Sequence, residues 1–216
     1  MRSAIARGSV ARSWGDHLLA GAYDARVTVH QAHGPEASDA GAARTGQRFC
    51  PRCGRELTTL DVEGRALPAC SVCDYVAFRD PKVVAVAVVT DSDGAVWLVR
   101  RAIEPCVGEW ALPGGYVDWD EHPGEAAARE CREEMDCEVR VSRLLGVHHA
   151  AFVDGGVVVI AYAGTVVGGT PRQGQEVLEV ARFAPESLPP LAFSTHRAIL
   201  AEFVAETRPG DGRRRS

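Results

Sequence analysis

The chain has 216 residues, 46% of them hydrophobic and 25% charged, with a formal net charge of −5; that balance excludes a wholly disordered, collagen-like or low-complexity protein. Its longest apolar runs, over 83–89 and 157–163, hold seven residues each, too few to span a bilayer. No apolar stretch near the start reaches signal-peptide length, and the acidic balance argues against general nucleic-acid binding, so a soluble cytoplasmic protein is expected.

Residues 1–46 mix Ala, Gly, Ser, Arg and His without periodicity, and 33–46 contain no bulky apolar residue. Such a segment cannot offset its chain entropy by burial, and a disordered extension is expected. Its first thirty residues hold four Arg and two Asp, a composition that organellar transit peptides share; a plain flexible extension is the preferred reading.

Residues 47–80 contain Cys50-Pro-Arg-Cys53 and Cys70-Ser-Val-Cys73. Two CxxC knuckles sixteen residues apart match the spacing of one tetrahedral four-cysteine zinc site, and the residues between them suit a β-hairpin turning at Gly64. Disulfides and a thioredoxin-like redox pair are the alternatives. The first conflicts with the missing secretion signal, the second with the motif occurring twice. A closed shell of four thiolates has no open position, so zinc here would be structural and would supply folding energy that so short a segment lacks. With five Arg against five acids and few exposed-type aromatics, this zinc ribbon reads as a scaffold or substrate-positioning module.

Residues 81–207 alternate strands and helices. The pattern predicts strands over 82–90 and 95–101 joined by the Asp91–Gly94 turn, then short extended pieces around Pro113-Gly114-Gly115. A helix is expected over 123–135, with Pro123 at its first position and Glu125 in its first turn. Strands over 138–151, 157–167 and 177–183 follow, with 154–156 a hairpin turn, and Ser194 caps a last helix to about residue 206. This is an α/β (α+β) domain with a mixed sheet. Pro209-Gly-Asp-Gly ends the order, leaving 208–216 as a disordered basic tail.

Charge concentrates in one place: 114–137 holds eight acids and two Arg, a density that needs solvent or a bound cation. On the helix, Glu130, Glu133 and Glu134 share a face, while Ala127 and Cys131 turn toward the sheet. Arg129, one turn after Glu125, can pair locally with it. Just upstream, Leu112-Pro113-Gly114-Gly115 lets backbone approach a ligand.

These residues, Gly115-x5-Glu121-x7-Arg129-Glu130-Cys131-x-Glu133-Glu134-x-Asp136-Cys137, resemble the Nudix box, Gx5Ex7REUxEExGU with U a bulky apolar residue. The likeness covers about 81–207, preceded by 108–115 as the strand leading into the box. With the four-cysteine ribbon in front, the chain is similar to zinc-ribbon Nudix hydrolases, including the NADH pyrophosphatase and ADP-ribose pyrophosphatase branches. The resemblance implies an α/β/α sandwich that hydrolyses nucleoside diphosphate derivatives (ADP-ribose, FAD or NADH) to AMP and the other phosphate, using Mg²⁺ or Mn²⁺. It implies Glu130 and Glu134 as principal metal ligands, with the Gly114 carbonyl completing the shell. Glu133 becomes a second ligand or base, Arg129 orients the glutamates and Glu121 hydrogen-bonds the loop. A further ligand or base is expected at Glu176, with Glu179 the alternative. Gly114, Gly115 and Trp110 are the candidate substrate contacts; Tyr116 and Trp119 are further aromatics able to stack a base.

Two features depart from the box. Asp136 replaces a Gly after the helix, which puts the helix end in question, and Cys131 and Cys137 replace larger apolar residues. The NADH branch typically carries Ser-Gln-Pro-Trp-Pro-Phe-Pro a little after the box; here 147–156 contains neither Pro nor Trp, which weakens the case for NADH. His148 and His149 face opposite ways on a strand, His122 is expected to cap the helix, His196 sits in the last helix, and Cys106 has no evident base. The alternative class is a non-catalytic Nudix-fold metabolite sensor, which a lost box Glu would favour; none is lost. Expected partners are a small-molecule nucleotide, no nucleic acid and no membrane, with a homodimer left open.

Overall fold

The computed structural model describes residues 29–31, 47–78, 80–152 and 155–207. In chain order its elements are β1 (Val29–Gln31), β2 (Thr58–Val62), β3 (Arg65–Ala69), β4 (Lys82–Thr90), β5 (Val96–Arg101), β6 (Trp110–Ala111), β7 (Gly114–Tyr116), α1 (Pro123–Met135), β8 (Glu138–Phe152), β9 (Gly155–Gly168), β10 (Val177–Phe183) and α2 (Ser194–Thr207). Every strand and helix expected from 82 onward is present, with ends differing by no more than two residues.

The principal sheet is mixed, in the order β1-β8-β9-β4-β5-β10. β4 runs through its middle, parallel to β9 over its whole length. Its other edge is shared: β7 pairs antiparallel with Val84–Val86 and β5 with Val89 and Thr90. Between these partners the chain enters at Pro113, whose carbonyl accepts from the Ala87 N–H at 3.0 Å. The fork in β4's pairing therefore seats the Leu112–Gly115 loop on the sheet.

The uninterrupted apolar run of β4 follows from burial on both faces. Ala85, Ala87 and Val89 pack in one cluster with Ala126, Ala127, Cys131 and Met135 of α1. Val86 and Val88 pack in a second cluster with Ile199 and Leu200 of α2. The small side chains on α1 let that helix lie close to the sheet; truncating a fully buried Met135 or Leu98 would cost about 2–5 kcal/mol. No helix among the described residues is long and apolar enough to cross a membrane.

Contrary to expectation, the 1–46 extension contributes a strand, β1, which pairs parallel with β8 from Val147 to His149. Three residues are too few to show a period, so no alternation could have revealed it. The rest of that extension, the 208–216 tail and Asp154 of the expected hairpin turn lie outside the described residues.

In the Cys-rich segment, β2 and β3 form an antiparallel hairpin. Its turn residues, Glu63 and Gly64, have φ of 54° and 79°, the paired positive values of a type I′ turn. Around the knuckles the Gly54 N–H donates to the Cys50 carbonyl at 2.9 Å and the Cys70 N–H to the Tyr75 carbonyl at 2.8 Å.

Candidate active site

The acidic face of α1 is organised by one guanidinium. Arg129 grips Glu121 with a two-pronged pair, Nε to Oε1 at 2.9 Å and Nη2 to Oε2 at 3.0 Å. Its Nη1 donates to Glu130 at 2.9 Å and Glu133 at 3.1 Å, and Nη2 also donates to the Tyr116 carbonyl at 3.0 Å. All five N–H donors of the guanidinium are thus engaged. The local pair expected with Glu125 does not form; Glu121 reaches Arg129 from the loop before the helix and presents both oxygens to the fork, a geometry that charge-assisted bidentate bonding favours.

Local structure explains how Glu121 arrives there. The Glu121 N–H donates to the Asp118 carbonyl at 3.2 Å, and the Asp118 N–H donates back to the Glu121 carboxylate at 3.4 Å. His122 caps α1, its Nδ1 accepting from the Gly124 N–H at 3.1 Å. Pro123 fills the first helical position, where a missing N–H costs nothing.

Glu130 and Glu134 point inward. The Gly114 N–H donates to Glu134 at 2.9 Å, so the loop meets this carboxylate through a donor. Gly115 lets the loop pass close to Glu130: a Cβ there would lie 2.4 Å from Glu130 Oε1 and would push that carboxylate aside. Burial pushes the Glu134 carboxyl up to about 8 against the Gly114 bond, and the charges of Glu130 and Glu176 add to the rise. Burial also raises Glu130, with Arg129 opposing. Glu121 moves the other way, held low by its bonds to Arg129.

Glu176 stands at the mouth of β10 with its charge felt by both Glu130 and Glu134. Glu179 lies along β10, paired with Arg100 at 3.6 Å. Trp110 is half-buried: its ring meets Phe183 edge-on at 5.0 Å and packs against the α2-side cluster. Tyr116 and Trp119 remain exposed, Trp119 at 96%. Asp136 ends the helix in the left-handed conformation at φ 47°, its N–H bonded to the Arg132 carbonyl, so the departure from Gly leaves the helix end intact. Cys131 and Cys137 are both buried.

Two residues belong to the site that the sequence did not single out for it. Arg101, at the end of β5, stacks over Phe193 at 5.0 Å and is a positive charge acting on Glu134. His196 is buried in α2, and its Nδ1 accepts from the Leu112 N–H at 3.1 Å. Burial drives its pKa down to about 3, helped by Arg101, Arg197 and His148. It stays neutral and so remains an acceptor for the loop. A His set in an apolar helix face was the available signal.

The four cysteines form a cluster in which all Sγ atoms lie within 4.8 Å of one another. Individual separations are 3.3 Å for Cys50–Cys73, 3.5 Å for Cys53–Cys70 and 3.7 Å for Cys53–Cys73. A tetrahedral zinc with Zn–S near 2.3 Å requires edges of about 3.8 Å, so the cluster fits such an ion. The backbone N–H groups of Val72 and Cys73 bring the Cys70 thiol down to about 6. Hydrogen bonding with Cys50, together with burial, pushes Cys73 up to about 12. The cluster could hold a metal.

Comparison with known proteins agrees with this geometry. The family model for the NUDIX domain matches residues 80–204. An ADP-ribose pyrophosphatase of Methanocaldococcus jannaschii is 35% identical over 123 residues, covering 56% of this chain and 72% of that protein. The NAD-capped RNA hydrolase NudC of Pseudomonas entomophila is 28% identical over 145 residues, but the match spans 67% of this chain and only 50% of NudC. A crystal structure of a NUDIX hydrolase from Nitrosomonas europaea superimposes with a TM-score of 0.66 at 27% identity, over 74% of this chain and 92% of that one. With the box carboxylates gathered around Arg129 on the fold these proteins share, the chain belongs to the Nudix hydrolase family.

Proposed function

We propose that the chain hydrolyses the pyrophosphate linkage of an ADP-ribose-type nucleoside diphosphate derivative, releasing AMP and the other phosphate. The observation carrying this reading is the arrangement of α1. Glu130 and Glu134 are turned inward with raised pKa values, and Arg129 neutralises only part of the charge beside them. Two inward carboxylates with Glu133 and Glu176 at the rim form the all-oxygen donor set that hard divalent cations take. Mg²⁺ or Mn²⁺ bound there would neutralise the pyrophosphate oxygens and lower the pKa of the attacking water.

The chain's own residues divide the remaining work. Glu130 and Glu134 would hold the ion, with Glu133 as an outer ligand. Arg129 fixes the carboxylates through four of its five bonds, the fifth tying it to the Tyr116 carbonyl, and Glu121 anchors Arg129. Glu176 would accept the proton from water, a role its proximity to both inward glutamates supports and the pairing of Glu179 with Arg100 disfavours. Arg101 offers positive charge to a phosphate on the substrate side. Cys50, Cys53, Cys70 and Cys73 would hold one structural Zn²⁺.

For the substrate, 147–156 bears on the choice. The stretch where the NADH branch carries its Pro/Trp-rich motif is here occupied over 147–152 by β8, hydrogen-bonded to β9 and, from 147 to 149, to β1. A strand held in a sheet leaves no loop to build that pocket, whereas the exposed Trp119 and Tyr116 suit stacking on an adenine that ADP-ribose, FAD and NADH share. Hydrolysis of ADP-ribose, FAD, NADH and diadenosine polyphosphates with and without Mg²⁺ tests the proposal. Metal-dependent release of AMP is expected, with kcat/KM for ADP-ribose or FAD at least equal to that for NADH. A preference for NADH of about tenfold, or 1.4 kcal/mol in the transition state, would return the chain to the NADH branch, and no turnover of any substrate would favour a sensor.

A further inference from the structure

The chain between β9 and β10 lies across the C-terminal end of α1. The N–H groups of Arg172, Gly174 and Gln175 donate to the carbonyls of Met135, Glu134 and Glu133 at 2.9, 3.0 and 2.8 Å. Those carbonyls fall in the last turn of the helix, where no intrahelical partner exists. The loop is thereby zipped to the same turn of helix that carries two of the site carboxylates. Asp136, the residue that departs from the box, faces this loop: its carboxylate accepts from Arg172 Nε at 2.6 Å.

Contact is tightest at Gly174. A Cβ there would lie 2.1 Å from the Glu133 carbonyl oxygen and 2.9 Å from the Glu134 carbonyl carbon, and both are backbone atoms that cannot swing aside. Two residues later Glu176 is held in the left-handed conformation at φ 58°, which non-glycine residues adopt only where their surroundings enforce it. The enforcing contacts are visible on both sides. Gln175 is bonded to α1, and the Glu176 carbonyl accepts from the Ala102 N–H at 3.2 Å.

We infer that the 171–175 loop is a positioning device for the Glu176 carboxylate, with Gly174 as the residue that permits docking and the Asp136–Arg172 pair as its lock. This rests on the reading of Glu176 as a working carboxylate of the pyrophosphatase site. If the loop cannot seat on α1, the Ala102 bond alone is left to hold Glu176 in its left-handed backbone, and the carboxylate is free to move away from Glu130 and Glu134. Gly174 is thus a positioning residue, and its effect on turnover passes through Glu176. Asp136 in place of Gly then acquires a reason: it exchanges conformational ease at the helix end for an ion pair with the docking loop.

A double-mutant cycle on the full chain separates positioning from general structural damage. Steady-state hydrolysis of ADP-ribose at saturating Mg²⁺ is measured for Gly174→Ala, Glu176→Gln and the double variant, with melting temperatures alongside. Gly174→Ala should lower kcat by about tenfold or more with KM changed less than about twofold. Added to Glu176→Gln it should cost nothing further, because the group it positions is already disabled. Arg172→Ala, which loosens the lock without a steric clash, should show the same non-additivity with about a threefold loss, and it decides the matter if Gly174→Ala fails to fold. Losses that multiply in the double variants, or wild-type kcat in the loop variants while Glu176→Gln is impaired, would overturn the inference. Wild-type turnover by Glu176→Gln would instead remove the role given to Glu176, and the inference with it.

Discussion

His196 offers a sharp test of how the fold holds the loop over 112–115. The imidazole is buried, its Nδ1 accepts the Leu112 N–H at 3.1 Å, and its pKa falls to about 3 from 6.5. A base whose folded pKa is depressed favours the fold above its unfolded pKa and withdraws that support as pH falls. The window therefore opens near pH 6.5 and extends down to about 3. Between about pH 7 and pH 5 the unfolded chain takes up a proton that the folded chain refuses, and at 1.36 kcal/mol per unit the loss is about 2 kcal/mol. Asn at 196 keeps a short acceptor for Leu112 but cannot be protonated. Urea unfolding at pH 7 and pH 5 should show the wild type losing about 2 kcal/mol more than His196→Asn, with titrating groups common to both proteins cancelling. His196→Ala, which strands the buried Leu112 N–H, should be destabilised at both pH values by about 1–3 kcal/mol further. Equal pH slopes for wild type and His196→Asn would refute the account.

Three further outcomes are expected. Glu134→Gln should cut turnover by about 10²-fold. In Mg²⁺-free buffer the same variant should be the more stable at pH 7, because a carboxyl raised from 4.5 to about 8 leaves the wild type progressively weaker as pH climbs between those values; thermal melts across the range check the sign. Arg129→Lys should lose about tenfold in kcat, since a point charge with three donors cannot reproduce a fork with five engaged ones, and unchanged kcat would show the fork to be incidental. Elemental analysis should find about one Zn²⁺ per chain in protein purified without chelators and none in Cys53→Ser, and circular dichroism should show the Nudix sheet surviving that change.

Legibility in the sequence divided by range. Strands and helices from 82 onward were readable because their signals are local: an apolar run for β4, Pro at the head of α1, alternation in the rest. The carboxylates of α1 were readable because spacing on one helix is arithmetic. What escaped depended on chain segments far apart. His196 reaches Leu112 across 84 residues, and only tertiary packing brings α2 under the loop. Arg129 takes Glu121 rather than Glu125 because a turn delivers both Glu121 carboxylate oxygens to the fork. Trp110 meets Phe183, from a strand far along the chain, a contact that no local pattern announces. Local motifs name the chemistry, and long-range packing decides which copies of a residue type take part.

The electrostatics of α1 carry that distinction into function. Four carboxylates surround one guanidinium, yet they do not share it evenly. Glu121 takes two of its bonds and sits low; Glu133 takes one at the exposed rim. Glu130 takes one bond but lies where burial outweighs it, and Glu134 takes none, being met instead by the neutral backbone N–H of Gly114. Negative charge is therefore compensated more fully on the outer side of the helix than on the inner side, next to Gly114 and Gly115. A fold selected for stability alone would replace buried, poorly paired carboxylates with apolar residues of similar volume. Their presence where the loop backbone, Arg101 and Glu176 converge would direct the binding energy of a cation to the inner face, where a pyrophosphate oxygen could share it.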